Sequence, residues 1–107
     1  MSYATMTPAE LARRLKRGDR LSLIDVREAD EHALAHVPEA QLLPLSRFNE
    51  WVETLSPDEE LVVMCHHGIR SAQVCAYLSQ QGFNKLHNLA GGIDLWSLEV
   101  DANVPRY

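Results

Sequence analysis

Short apolar runs alternating with helical patterns predict an α/β domain whose mostly parallel sheet is covered by helices on both faces. Three observations carry this. The chain has 107 residues, enough for one hydrophobic core and too few for two. Its apolar runs over residues 21–26, 41–45, 61–64 and 83–89 have the length of strands. Between them lie segments with apolar residues at helical spacing, and a strand-helix-strand crossover sets its two strands parallel.

The elements follow in order. Thr7-Pro8-Ala9-Glu10 reads as a helix start, with Thr7 as the cap, Pro8 in the first position and Glu10 closing a capping box. This helix is expected to run to about Arg17 and stop at Gly18. LSLIDV at 21–26 is a buried strand, 29–35 a weak helix, and 41–45 a further short strand. Residues 46–55 form a helix capped by Ser46, with Phe48, Trp51, Val52 and Leu55 on one side. After a turn at 56–60, LVVM at 61–64 is the most strand-like segment, and 71–81 is a helix stopped by Gly82. The strand at 83–89 precedes Gly91-Gly92, which opens a short helix through Trp96.

Composition excludes several classes. With 46% hydrophobic and 23% charged residues, and five each of Gly and Pro, the chain is neither disordered nor fibrous. A net charge of −5 argues against a nucleic-acid binder, which needs surplus Lys and Arg to neutralise phosphates. Five of the ten basic groups fall within residues 13–20 (Arg13, Arg14, Lys16, Arg17, Arg20), read as a solvated helix face rather than a docking patch. No apolar run approaches the roughly 20 residues of a membrane span, and the first residues lack signal-peptide character, so a cytoplasmic location is expected. Cys65 and Cys75 are too few for a disulfide framework and are read as thiols.

In parallel α/β sheets, sites form in the loops beyond the carboxyl ends of the strands. Asp25-Val26-Arg27, residues 65–71 and Ala90-Gly91-Gly92 meet that condition. The chemistry is concentrated in Cys65-His66-His67-Gly68-Ile69-Arg70-Ser71, where a strand runs into a glycine-containing turn and then a helix. The free N–H groups of such a turn and helix start favour negative charge, which places Cys65 to act as a thiolate. Gly68 lets the turn curl into a nest of N–H donors, and Arg70 adds a fixed cationic fork for an oxyanion.

With Leu23-Ile24-Asp25-Val26-Arg27-Glu28, His36-Val37-Pro38 and Ala90-Gly91-Gly92 through Trp96 in the same order, the sequence resembles the rhodanese family in its single-domain form. One stretch departs from the family's Gly-His-[Ile/Val]-Pro-Gly-Ala, reading Ala35-His36-Val37-Pro38-Glu39-Ala40 here. The resemblance implies a five-stranded, mostly parallel sheet between helices. It also implies a Cys65 that takes a sulfane sulfur as a persulfide, from thiosulfate in the usual test, and passes it to cyanide or a thiol. His66, His67, Gly68, Ile69, Arg70 and Ser71 are then expected to surround the donor. The partners are small-molecule donor and acceptor, or a protein acceptor, with no organic cofactor and no metal.

Two rival readings stay open. Cysteine phosphatases space nucleophile and arginine as Cys-x5-Arg, whereas here Arg70 follows after four residues and Ser71 holds the phosphatase arginine position. A non-catalytic sulfur carrier shares the first half-reaction and differs only in turnover. A metal site at Cys65-His66-His67 is not expected, because consecutive side chains diverge and no second pair stands at zinc spacing. Asp25 and Arg27, two apart at a strand end, are expected to face the same way and tie adjacent loops together. Cys75 and Trp51 are read as packing, His36 as fixing a turn, and Trp96 as supporting the rim of the site.

Overall fold

The computed structural model describes residues 2–107 and arranges them around one five-stranded sheet of order β1-β5-β4-β2-β3. The strands are β1 (Ala4–Met6), β2 (Ser22–Asp25), β3 (Gln41–Leu42), β4 (Leu61–Met64) and β5 (Leu86–Leu89). The helices are α1 (Pro8–Lys16), α2 (Ala29–Leu34), α3 (Phe48–Trp51), α4 (Ile69–Gln80) and α5 (Gly92–Glu99). Every pairing is parallel, with Asp25 opposite Met64 and Val63 opposite Asn88. The central strand β4 is buried throughout, as its unbroken LVVM requires.

Side chains alternate across this sheet into two cores. Met6, Leu23, Val62, Met64 and Leu89 meet Leu11 of α1 and Ile93 and Trp96 of α5. On the other face Ile24, Val63 and Leu86 meet Trp51 of α3 and Val74, Cys75 and Leu78 of α4. The expected two-sided cover is therefore present. No helix among the described residues is long and apolar enough to cross a membrane.

Thr7 caps α1 as expected, its Oγ1 accepting the Glu10 N–H at 3.1 Å. Glu10 does not close the box; its carboxylate lies 3.8 Å from Arg13. A reciprocal capping box forms instead at α2, between Glu28 and Glu31. The basic stretch is largely neutralised within the chain. Arg14 forks onto Glu60 and also reaches Asp19 at 2.8 Å, and Arg17 shares Asp19 at 2.6 Å.

Several expected boundaries move for identifiable reasons. The segment 46–55 is not one helix: 3-10 turns at Leu45–Arg47 and Val52–Thr54 flank the four residues of α3. Ser46 is not its cap, since its N–H and hydroxyl both donate to the Glu28 carboxylate. β3 ends early because Pro44 has no N–H to donate, although Leu43 and Leu45 on either side still bond to Asp25 O and Val26 O. Phe83 does not begin β5. Its N–H bonds to Leu78 O and that of Gly82 to Ser79 O, a Schellman closure of α4. Helix α4 starts at Ile69, two residues before the expected Ser71, and α5 extends past Trp96 to Glu99.

The fifth strand, β1, lies outside the elements read from local pattern. It has three residues, only Met6 of them buried, and it pairs at the sheet edge with His87, Asn88 and Leu89.

Candidate active site

Cys65 stands directly after β4, at 1% exposure, with its Sγ at the focus of three polar groups. The backbone N–H of Gly68 donates to it at 3.1 Å and that of Ser71 at 3.4 Å, while Ser71 Oγ lies 3.3 Å away. Gly68 precedes α4 with φ at +103°, a left-handed conformation that a side chain would strain. That turn aims its N–H back at the sulfur. Of the loop residues expected to line the site, Gly68 and Ser71 supply the N–H groups that reach Sγ.

Ser71 is wired further. Its hydroxyl donates to Asn88 Oδ1 on β5, and Asn88 Nδ2 donates to Gly68 O at 3.1 Å, which orients the amide. A hydroxyl has one proton. While that proton goes to Asn88, the Cys65 thiol donates to Ser71 Oγ. When Cys65 is ionised, the hydroxyl can turn to it by releasing Asn88.

The loop's outward carbonyls are held by α5. Cys65 O accepts the Ile93 N–H at 2.9 Å and His66 O that of Asp94 at 3.2 Å. So close an approach needs Gly92, at φ +58°, because a Cβ there would lie 2.4 Å from Cys65 O and 2.5 Å from His66 O. Gly92→Ala is expected to destabilise the fold by about 2–4 kcal/mol through backbone overpacking and left-handed strain. Urea denaturation measures this; a cost under about 0.5 kcal/mol would contradict the packing described.

Arg70 does not stand free as a clamp. Its two terminal nitrogens bond to the two carboxylate oxygens of Glu31 at 2.7 and 2.8 Å. Glu31 also accepts the Tyr107 hydroxyl at 2.8 Å and the Glu28 N–H at 3.1 Å. Arg70, with Glu28 and Tyr107 assisting against burial, holds the Glu31 carboxyl down to about 2 from an ordinary 4.5. The same pair, led by Glu31, raises the Arg70 guanidinium above its usual value. Because the folded value of Glu31 is depressed, its stabilisation is complete above pH 4.5 and drains as pH falls toward 2. Urea denaturation across that window should therefore show a weaker acid dependence for Glu31→Gln than for the wild type. Equal slopes would remove Glu31 from the acid response.

Asp25 and Arg27 do face the same way, both at 0% exposure. Arg27 bonds to Asp25 through Nε at 2.9 Å and Nη2 at 2.6 Å. Its remaining donors reach Glu31 O, Ala35 O and Tyr107 Oη. Burial works against its charge, but the bonds to Asp25 and Tyr107 prevail and raise its pKa. The expected tie between adjacent loops is thus built, and neither residue bonds to Cys65.

His66 and His67 do not diverge. Their rings stack with centroids 3.9 Å apart, and the Tyr107 ring lies on His66 at 4.0 Å. Burial, then the neighbouring His67, lowers the pKa of His66, and its buried Nε2 has no hydrogen-bond partner among the described residues. With Asp94, their ligand atoms fall within 4.8 Å of one another. In-plane lone pairs of stacked rings do not converge on one ion, and Asp94 is already paired with Arg106 at 2.8 Å. Ile69 is 72% exposed at the mouth of the loop.

His36 is exposed and stacks on His32 at 4.6 Å, and the turn it was expected to fix is closed by Ala40 N–H to Val37 O. Cys75 is buried beside His87 O, and burial pushes its thiol up to about 12. Trp51 and Trp96 are core residues. A concavity of about 490 Å³ between α3 and α4, lined by Val52, Tyr77 and Phe83 among others, lies apart from Cys65. Sequence reading missed Glu31, Asn88, Asp94 and Tyr107 as parts of the site. Two of these carry a signal: Glu31 stands three residues after Glu28 at capping-box spacing, and Asn88 is polar within a strand.

The family model for the Rhodanese-like domain matches residues 7–99. The chain is 40% identical over 93 residues to Rhodanese-like/PpiC domain-containing protein 12, chloroplastic, of Arabidopsis thaliana, covering 83% of this chain. It spans only 31% of that relative's length. It is 33% identical over 96 residues to Thiosulfate sulfurtransferase GlpE of Pseudomonas fluorescens, covering 90% of this chain and 87% of that one. Among solved structures, a rhodanese-related protein of Thermoplasma volcanium superposes with a TM-score of 0.81 at 32% identity, over 92% of this chain and 94% of that one.

Proposed function

The chain belongs to the rhodanese-like domain family, and from that premise we propose that it transfers sulfane sulfur through a persulfide on Cys65. The single observation that supports this most is the convergence of the Gly68 and Ser71 N–H groups on Cys65 Sγ. Donors so placed stabilise a thiolate before attack and a persulfide anion after it. In the first half-reaction Cys65 Sγ attacks the outer sulfur of an anionic donor such as thiosulfate. The new S–S bond forms as the old one breaks, and its electron pair leaves with sulfite. In the second, cyanide or a thiol attacks the terminal sulfur, and the bonding pair returns to Cys65. Both steps need only a small-molecule donor and acceptor, without metal or organic cofactor, and suit a reducing cytoplasm in which Cys65 and Cys75 stay free.

The arginine geometry speaks against phosphoryl transfer. Arg70 lies one residue nearer the cysteine than the phosphatase spacing requires, and both of its terminal nitrogens are engaged by Glu31. Intact-protein mass spectrometry after thiosulfate treatment tests the proposal. One added sulfur at Cys65, discharged by cyanide over repeated cycles, is expected, with no turnover of an aryl phosphate. Sulfur located on Cys75, or Cys65-dependent phosphate release, would overturn it. Loading without turnover would mark a carrier.

A further inference from the structure

We propose that Glu31 is a specificity-determining residue that selects the sulfur donor by charge, favouring a persulfide R–S–SH over the doubly charged thiosulfate. This rests on the sulfurtransferase reading and names the donor class of the same site.

An unpaired arginine beside the nucleophile would reward each negative charge on the donor. Here the reward is cancelled. Glu31 takes both terminal nitrogens of Arg70 and is locked in place by the Tyr107 hydroxyl and the Glu28 N–H. Tyr107 is itself held by Arg27 Nη1 at 3.0 Å and by its stack on His66. The other arginines around the loop are matched in the same way, Arg27 with Asp25 and Arg106 with Asp94. What remains to meet a donor is the backbone N–H pair on Cys65 Sγ and two imidazoles, of which His66 is held toward its neutral form by burial. Backbone N–H groups stabilise a single sulfur anion, but they do not supply the net charge that a dianion needs to leave water. A second negative charge would also face the Glu31 carboxylate.

The persulfide reaction balances within this site. Cys65 Sγ attacks the terminal sulfur of R–S–SH, the R–S to S bond breaks, and its electron pair leaves as R–S⁻, which takes up the Cys65 proton. Cys65 keeps the persulfide, and R–SH departs with no change in the total charge of the pocket.

The experiment measures the rate at which sulfur loads onto Cys65, by quenched intact mass, with thiosulfate and with the persulfide of 2-mercaptoethanol, which has no charged group besides its sulfur, as donors. The full chain is compared with Glu31→Gln and Tyr107→Phe. The wild type should load faster from the persulfide. Glu31→Gln, which keeps the shape and frees the charge of Arg70, should raise the thiosulfate rate about ten-fold and change the persulfide rate less than about three-fold. Tyr107 is a positioning residue in this scheme, so Tyr107→Phe should move the donor ratio in the same direction by a smaller factor, whether or not Glu31→Gln folds fully. A purely structural role would slow both donors together. An unchanged ratio in both variants, with the wild type still loading, overturns the role of Glu31 alone. Failure of both donors to load wild-type Cys65 overturns the sulfurtransferase reading and this inference with it.

Discussion

Cys65→Ser is expected to lose sulfur loading and turnover together, by about a thousand-fold or more. A serine hydroxyl in the same cradle would still receive the Gly68 and Ser71 N–H groups, so the loop should keep its shape. What disappears is the ionisable, soft nucleophile. Oxygen attacks sulfane sulfur poorly, and the side chains nearest Sγ, Ser71 and through it Asn88, include no base to take its proton. The control is Cys75→Ser, which should retain most activity. Cys75 is fully buried and its thiol is pushed up to about 12, so it is protonated at any pH the protein would meet. Loading rates of the two variants, with circular dichroism to verify folding, separate the roles. Turnover that survives in Cys65→Ser would put the nucleophile elsewhere.

Asp25→Ala should cost about 3–5 kcal/mol of stability, the usual penalty for leaving a buried charge without its partner. Arg27 is at 0% exposure and donates its main bonds to Asp25 Oδ1 and Oδ2. Without them a guanidinium would remain in the core with only the carbonyls of Glu31 and Ala35 and the Tyr107 hydroxyl. Asp25→Asn should cost less, because the amide can still accept one of those bonds. Removing both charges, in Asp25→Leu with Arg27→Met, should cost less than Asp25→Ala alone, since no charge is then stranded. Urea denaturation of the three variants tests this order. If Asp25→Ala proved the mildest, the pair would not be the anchor described. Loosening Arg27 also frees Tyr107, so the donor ratio should drift in Asp25→Asn as it does in Tyr107→Phe.

Much of the fold was legible because its signals are local. The Thr7-Pro8 start, the unbroken LVVM of β4, the glycine turn after Cys65 and the helix behind it are each written within a few consecutive residues. Asp25 and Arg27 were legible for the same reason, since two positions on one strand end face one way. The misses share the opposite property. β1 is a strand only because β5 is there to pair with it, and its own three residues carry almost no apolar pattern. Ser46 looks like a cap until the Glu28 carboxylate, 18 residues earlier in the chain, claims its donors.

By itself, then, the sequence determined the place of Cys65 at the end of β4, the curl of the loop that holds it and the parallel α/β frame, because hydrophobic period, helix capping and glycine turns act between near neighbours. The tertiary structure decided the electrostatics. Whether Arg70 is a free clamp or a neutralised one depends on Glu31, 39 residues away, and Glu31 depends in turn on Tyr107, 76 residues from Glu31 in the chain. It also decided that Gly92 lets α5 lean on the carbonyls of Cys65 and His66. Charge is felt through space and screened by whatever packs nearby, so a charged residue's role is set by neighbours that only the folded chain brings together.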